Sequence, residues 1–109
     1  MRASGLAISF WELYSLLYSF MTTRHATITN TRGIHLRPSS LIASALDGYE
    51  GQATIVCHGR RHRLQPTPLA IMALGLRQGD SFRLDVTGPE EETLCDRLAD
   101  LFSRKYDFT

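Results

Sequence analysis

The sequence predicts an α+β fold of two layers, an open-faced sandwich in which helices cover one face of a sheet. Three observations predict it. Short stretches alternate apolar and polar residues with the period of half-buried strands, two prolines and one acidic run stand where helices begin, and the segments follow in the order β-α-β-β-α-β-α. The adjacent strands in the middle form an antiparallel hairpin, so the chain is not a repeated parallel βαβ array.

Each element has its own signal. From His25 to Asn30, Ala26 and Ile28 alternate with Thr27 and Thr29, which predicts the first strand. After a turn at Gly33, Pro38 opens a helix, because proline is favoured at the first helical position, where its missing N–H is no loss. Leu41, Ile42, Ala45 and Leu46 form the apolar stripe of that helix, and Gly48 ends it. Gln52 to Cys57 alternates again, and His58-Gly59 turns it into a partner strand over Arg60 to Gln65. Thr67 caps a short second helix that starts at Pro68 and runs over Leu69 to Leu74, closed by Gly75. Gly79-Asp80 turns the chain into a last strand, Phe82 to Thr87. Gly88-Pro89-Glu90-Glu91-Glu92 then begins a third helix with acidic residues favoured by its dipole, and Leu94, Leu98, Leu101 and Phe102 are its core stripe. The helices cover Ala26, Ile28, Ala53, Ile55, Phe82, Leu84 and Val86. Thr27, Thr29, Thr54, Arg83, Asp85 and Thr87 line the opposite face, which is expected in water.

A chain of 109 residues, 43% hydrophobic and 21% charged, accommodates one small domain with its own core. Its 12 Lys and Arg against 11 Asp and Glu give a net charge of +1, which offers no support for a general nucleic-acid or anionic-membrane binder. Arg60, Arg61 and Arg63 with His58 and His62 form one basic cluster, which edge-strand protection explains without a ligand. Cys57 and Cys95 have no metal-binding spacing and read as reduced, buried thiols of a cytoplasmic protein; neither a metal site nor a cofactor is expected. His25 reads as a surface residue at a strand end. Residues 1–20 differ in composition from the rest and read as an extension ahead of a domain over 21–109. The first expectation is an upstream start codon before a true start at Met21, with an amphipathic surface helix or a targeting segment as alternatives.

The candidate site is Gly33-Ile34-His35-Leu36-Arg37-Pro38-Ser39-Ser40. A helix N-terminus offers unpaired N–H groups and the positive end of the dipole, hence an anion site. His35 flanks that end with a side chain that is nucleophilic when neutral. Arg37 and the helix start at Pro38, Ser39 and Ser40 could hold the dianion a phosphorylated histidine carries.

From Arg24 to Phe102 the chain resembles the histidine-containing phosphocarrier family, HPr. The resemblance rests on Asn30-Thr31-Arg32-Gly33-Ile34-His35-Leu36-Arg37-Pro38, on Thr67 to Gly75 followed by Gly79-Asp80, and on Thr87-Gly88 leading an acidic helix. It implies a four-stranded antiparallel sheet with three helices on one side. It also implies that His35 accepts a phosphoryl group on Nδ1 from enzyme I and passes it to enzyme IIA of a sugar phosphotransferase system, with Arg37 assisting. The chain would then be a monomeric cytoplasmic carrier rather than an enzyme, with Leu36, Leu69 and Met72 exposed for docking and Ile71 and Leu74 turned to the core. Leu36 replaces the small or polar residue common at its position. Thr67 corresponds to the regulatory serine of some relatives, but the change of residue and the proline after it make phosphorylation there unexpected. Ile28-Thr29-Asn30 and Thr87 to Glu92 resemble the nitrogen-branch carrier NPr, whose phosphorylation state acts on regulatory targets. A docking-only adaptor is the third class, and it would need neither His35 nor Arg37.

Overall fold

The computed structural model describes residues 9, 10, 13 and 21–106. Apart from those first three residues, the expected extension over 1–20 lies outside the described residues. The elements are β1 (Thr22–Thr27), α1 (Leu36–Leu46), β2 (Gln52–Cys57), β3 (Arg60–Arg63), α2 (Pro68–Met72), β4 (Ser81–Thr87) and α3 (Glu91–Ser103). They confirm the predicted order. The strands form one antiparallel sheet in the order β1-β4-β2-β3. Its inward residues, Ala53, Ile55, Phe82, Leu84 and Val86, join Ile42 and Leu46 of α1, Ile71 of α2 and Leu94, Leu98 and Phe102 of α3 in one apolar core. Among the described residues no helix is long and apolar enough to cross a membrane.

The first strand lies earlier than its alternation suggests. It spans Thr22–Thr27, because its inward side begins with polar residues that find partners rather than with apolar ones. Thr22 is buried and donates its hydroxyl to Glu91 at 2.9 Å. Ile28 sits beyond the strand but remains tied to the segment before β4: its N–H donates to the Asp80 carbonyl, and the Ile28 carbonyl accepts from Gly79 N–H, both at 2.8 Å. His25 is exposed within β1, opposite Arg83, rather than at the strand's end.

Three helix boundaries move for local reasons. α1 begins at Leu36 with His35 as its N-cap, so Pro38 occupies the third helical position, which also needs no N–H donor. Thr67 caps α2 as expected, accepting from Ala70 N–H at 3.3 Å with Pro68 at the first helical position. The last turn of α2 tightens: Leu74 and Gly75 donate to Ile71 and Met72, three residues back, and the regular helix ends at Met72. α3 starts at Glu91 because Glu90 adopts a left-handed conformation with φ of 51°. Glu91 is then buried, and its carboxylate accepts from Gly88 N–H at 3.1 Å and from Thr22. Leu41, assigned to the apolar stripe of α1, is 36% exposed; Ile42, Ala43 and Leu46 make that stripe with Pro38 and Ser39.

The open face of the sheet is not uniformly wet. Asp85 is 2% exposed there. Its carboxylate accepts from the Thr23 hydroxyl at 2.9 Å, from Arg61 at 3.1 Å and from Arg83 at 3.1 Å. Loss of water pushes this carboxyl upward, but the Thr23 hydrogen bond and the two guanidinium groups outweigh it and hold it below its ordinary value. The basic cluster is correspondingly divided. Arg61 serves Asp85 on the open face, whereas Arg60 and His62 stand opposite core-facing Cys57 and Ile55. His58, at the hairpin, contacts Asp80 at 2.8 Å. Both cysteines are free and buried, and burial pushes the Cys95 thiol up to about 11.

Asp85→Asn is expected to cost about 1–3 kcal/mol at pH 7, the range for a buried acceptor of charged donors. Because the folded carboxyl is depressed, its contribution is present above the unfolded carboxyl value and fades as pH falls through the folded one. Urea unfolding of both proteins from pH 7 to pH 2 should therefore show the difference shrinking at the acid end.

Candidate functional site

His35 is placed by backbone contacts on either side of it. Gly33 N–H donates to the Asn30 carbonyl at 2.9 Å, closing a turn, and Ile34 N–H donates to the Leu76 carbonyl at 3.1 Å. Gly33 has a φ of 69°, and a Cβ there would lie 2.4 Å from the Leu76 oxygen and 3.1 Å from Arg77 Cα. Only glycine meets both demands. Beyond the turn, the His35 carbonyl accepts from Ser39 N–H at 2.9 Å, the first rung of α1. The histidine is thus held between the loop after α2 and the first turn of a helix.

Its side chain is half-buried and makes no capping hydrogen bond. Nε2 is buried without a hydrogen-bond partner. Arg37 is exposed one residue beyond Leu36. The expected phosphate donors need correction: with His35 as the cap, Ser39 N–H is engaged by the His35 carbonyl, and the helix starts two residues earlier than Pro38, Ser39 and Ser40 suggested. Pro38 and Ser39 are buried supports beneath the site, and Ser40 is half-buried.

The three residues expected to be exposed are so. Leu36 is 62% exposed, Leu69 78% and Met72 37%, whereas Ile71 is buried at 1% and Leu74 is half-buried against the core. α1 and α2 pack on each other, and the loop that follows α2 carries the Leu76 carbonyl to Gly33 and Ile34. Thr67 is exposed, but its hydroxyl oxygen is occupied in capping α2.

One residue that positions the site escaped the sequence reading. Asn30, read there as the end of a strand, is 3% exposed. Its amide donates to the Gly33 carbonyl at 2.9 Å, and its oxygen accepts from Tyr106 N–H at 2.8 Å. Tyr106, also buried, donates its hydroxyl to the Leu101 carbonyl at 2.7 Å. Burial pushes that phenol upward, opposed chiefly by the charge of Arg104. An asparagine just before a turn was the available signal; its partner lies 76 residues away. Among the described residues no group of three or more His, Cys, Asp or Glu gathers as metal ligands would.

The family model of the PTS HPr component phosphorylation site matches residues 22–104. The chain belongs to the HPr family. It is 24% identical over 87 residues to the phosphocarrier protein HPr of Xylella fastidiosa strain Temecula1, covering 80% of this chain and 97% of that protein. With the HPr of Lysinibacillus sphaericus it shares 29% over 83 residues, 76% of this chain and 93% of the other. Among solved structures, HPr of Bacillus anthracis strain Ames superposes with a TM-score of 0.66 at 18% identity, over 75% of this chain and 96% of that one. HPr-C-His of Thermoanaerobacter tengcongensis gives 0.65 at 26% identity, over 74% and 90%. The HPr fold of four antiparallel strands and three helices is therefore the fold of this chain.

Gly33→Ala should destabilise the HPr fold here by about 1–3 kcal/mol, combining a positive φ with a backbone clash. Thermal unfolding measures the loss. Heteronuclear NMR should place its largest shift changes at residues 30–37 and 74–80, on the two sides of the contact.

Proposed function

We propose that the protein is a phosphocarrier of the phosphoenolpyruvate-dependent phosphotransferase system, taking a phosphoryl group on His35 from enzyme I and passing it to an enzyme IIA for sugar uptake. The observation that carries this reading is His35 at the N-cap of α1, with Arg37 in the first turn and the family's phosphorylation-site pattern running through it. Burial of Nε2 favours Nδ1 as the attacking nitrogen. Its lone pair forms the N–P bond while the donor's bond to phosphorus breaks. The dianion then sits at the positive end of the α1 dipole with the Arg37 guanidinium within the same turn.

A single nucleophile on a small protein suffices for this chemistry. Phosphoryl transfer needs alignment and charge stabilisation more than covalent help, and each partner completes the site when it docks. The exposed apolar residues Leu36, Leu69 and Met72 supply a small surface for such docking. A modest interface also suits rapid release, which a carrier serving a donor and an acceptor in turn requires. The protein acts in this reading as a monomeric cytoplasmic carrier and not as a catalyst of its own. Thr67 caps α2 through Ala70 N–H, and the threonine in place of serine with a proline directly after it speaks against a regulatory phosphorylation there.

Incubation with phosphoenolpyruvate and active enzyme I from the same organism should add one acid-labile phosphoryl group to the wild type and none to His35→Ala, as read by intact mass. Arg37→Ala should accept the group about 100-fold more slowly, the scale of losing one donor to transition-state charge. Absence of phosphorylation on the wild type would leave the docking-only adaptor. Transfer to a nitrogen-branch acceptor but to no sugar-specific enzyme IIA would assign the NPr-type role suggested by Thr87 to Glu92. Leu69→Glu should weaken enzyme I binding about tenfold with unchanged stability, measurable by calorimetric titration, because it puts a charge where an apolar contact forms.

A further inference from the structure

Beside the cap of α1 two complementary polar atoms are buried without partners: Nε2 of His35 and Oγ of Ser39. Ser39 is 0% exposed, and its backbone N–H donates to the His35 carbonyl at 2.9 Å, so the two residues are joined across one helical turn. Helical side chains tilt toward the N-terminus, which directs the Ser39 Cα–Cβ bond toward the His35 end. A neutral imidazole carries its proton on one nitrogen only, and a hydroxyl oxygen is a ready acceptor for it. Two such groups withdrawn from water and left unpaired are costly, whereas a hydroxyl reorients by a change of one staggered rotamer.

We infer that Ser39 is a positioning residue for His35: its Oγ accepts a hydrogen bond from Nε2–H and so holds the ring in the tautomer whose Nδ1 lone pair faces the incoming phosphorus. This rests on the carrier reading of His35. During transfer Nδ1 forms the N–P bond as the donor's bond breaks, and no proton moves. The ring becomes a cation that keeps Nε2–H on the Ser39 oxygen. On delivery the N–P bond breaks, its electron pair returns to Nδ1 and the ring is neutral again. Ser39 thereby favours both the nucleophilic tautomer and the protonated phosphohistidine, the better leaving group.

The charged and titratable groups on the segments meeting at this turn are Arg32, Arg37, Arg77, Asp80, Asp100, Arg104, Lys105 and Tyr106. All of them are retained when Ser39 alone is changed, so a difference between wild type and Ser39→Ala isolates the hydroxyl. Alanine is smaller than serine, buries no polar atom and suits a helix interior, so the fold should stay intact.

The test follows the full-length chain, with 15N-labelled histidine, by NMR as a function of pH before and after phosphorylation by enzyme I and phosphoenolpyruvate. In the unphosphorylated wild type the Nε2–H tautomer should dominate with a slowly exchanging ring proton. In Ser39→Ala the Nδ1–H share should rise and exchange quicken. In the phosphorylated chain the Nε2 titration midpoint of Ser39→Ala should fall by about one unit, the tenfold change in proton affinity that a hydrogen bond from a charged donor carries. Ser39→Cys, nearly the same shape and a weaker acceptor, should fall between the two. Equal tautomer ratios and equal midpoints in folded wild type and Ser39→Ala would overturn the assignment. A wild type that takes up no phosphoryl group defeats the carrier reading instead, and the tautomer comparison in the unphosphorylated chain still decides the Ser39 contact.

Discussion

The site depends on one close approach, the passage of Gly33 against the carbonyl of Leu76. At that point two backbones meet with no room for a Cβ between them. The Ile34 N–H then donates to the same carbonyl, so the chain leaves the turn in a defined direction and delivers His35 to the end of α1. Everything that makes this histidine distinctive follows from that delivery. It caps a helix with its carbonyl in the first rung, buries Nε2, and leaves Leu36 and Arg37 projecting beside it. Because Leu76 lies in the short loop after α2, the same contact keeps Leu69 and Met72 on the element adjacent to the site.

The sheet contributes rigidity without contributing chemistry. Its inward face is a continuous apolar floor for three helices, while its open face is organised by Asp85, whose carboxylate draws Thr23 of β1 and Arg61 of β3 toward β4. These contacts cross the sheet from one edge strand to the other. Asp85 and Asn30 are the polar counterparts of the hydrophobic core: one binds strands together on the open face, and the other binds the segment after α3 to the turn before His35.

Much of this was legible in the chain because local rules and tertiary packing agree. The order of elements, the cap at Thr67, the turn at Gly33 and the placing of His35 and Arg37 at a helix start all follow from residue types that serve one local purpose. What was not legible had its partner far away. Nothing near Thr22 indicates that its hydroxyl will meet Glu91, so the start of β1 was obscured. Alternation alone sends Asp85 to solvent, and only the arrival of Arg61 and Arg83 accounts for its burial. Pro38 correctly signalled the first turn of α1, but proline, although favoured at the first position, is tolerated throughout that turn, so the cap itself could be assigned only from the backbone at His35.

The strand order also dictates how the chain can assemble. β2 and β3 are joined by His58 and Gly59, both with positive φ, and can pair as a local hairpin as soon as both exist. β1 has no such neighbour. Its ladder is made with β4, so Thr22 waits for Val86 and the middle of the sheet is filled by the last strand to be made. During synthesis the N-terminal strand and the histidine turn therefore emerge long before the surfaces that fix them, and closing that long loop is the slow, cooperative event of folding. The geometry around His35 thus forms late, when nearly the whole domain has left the ribosome.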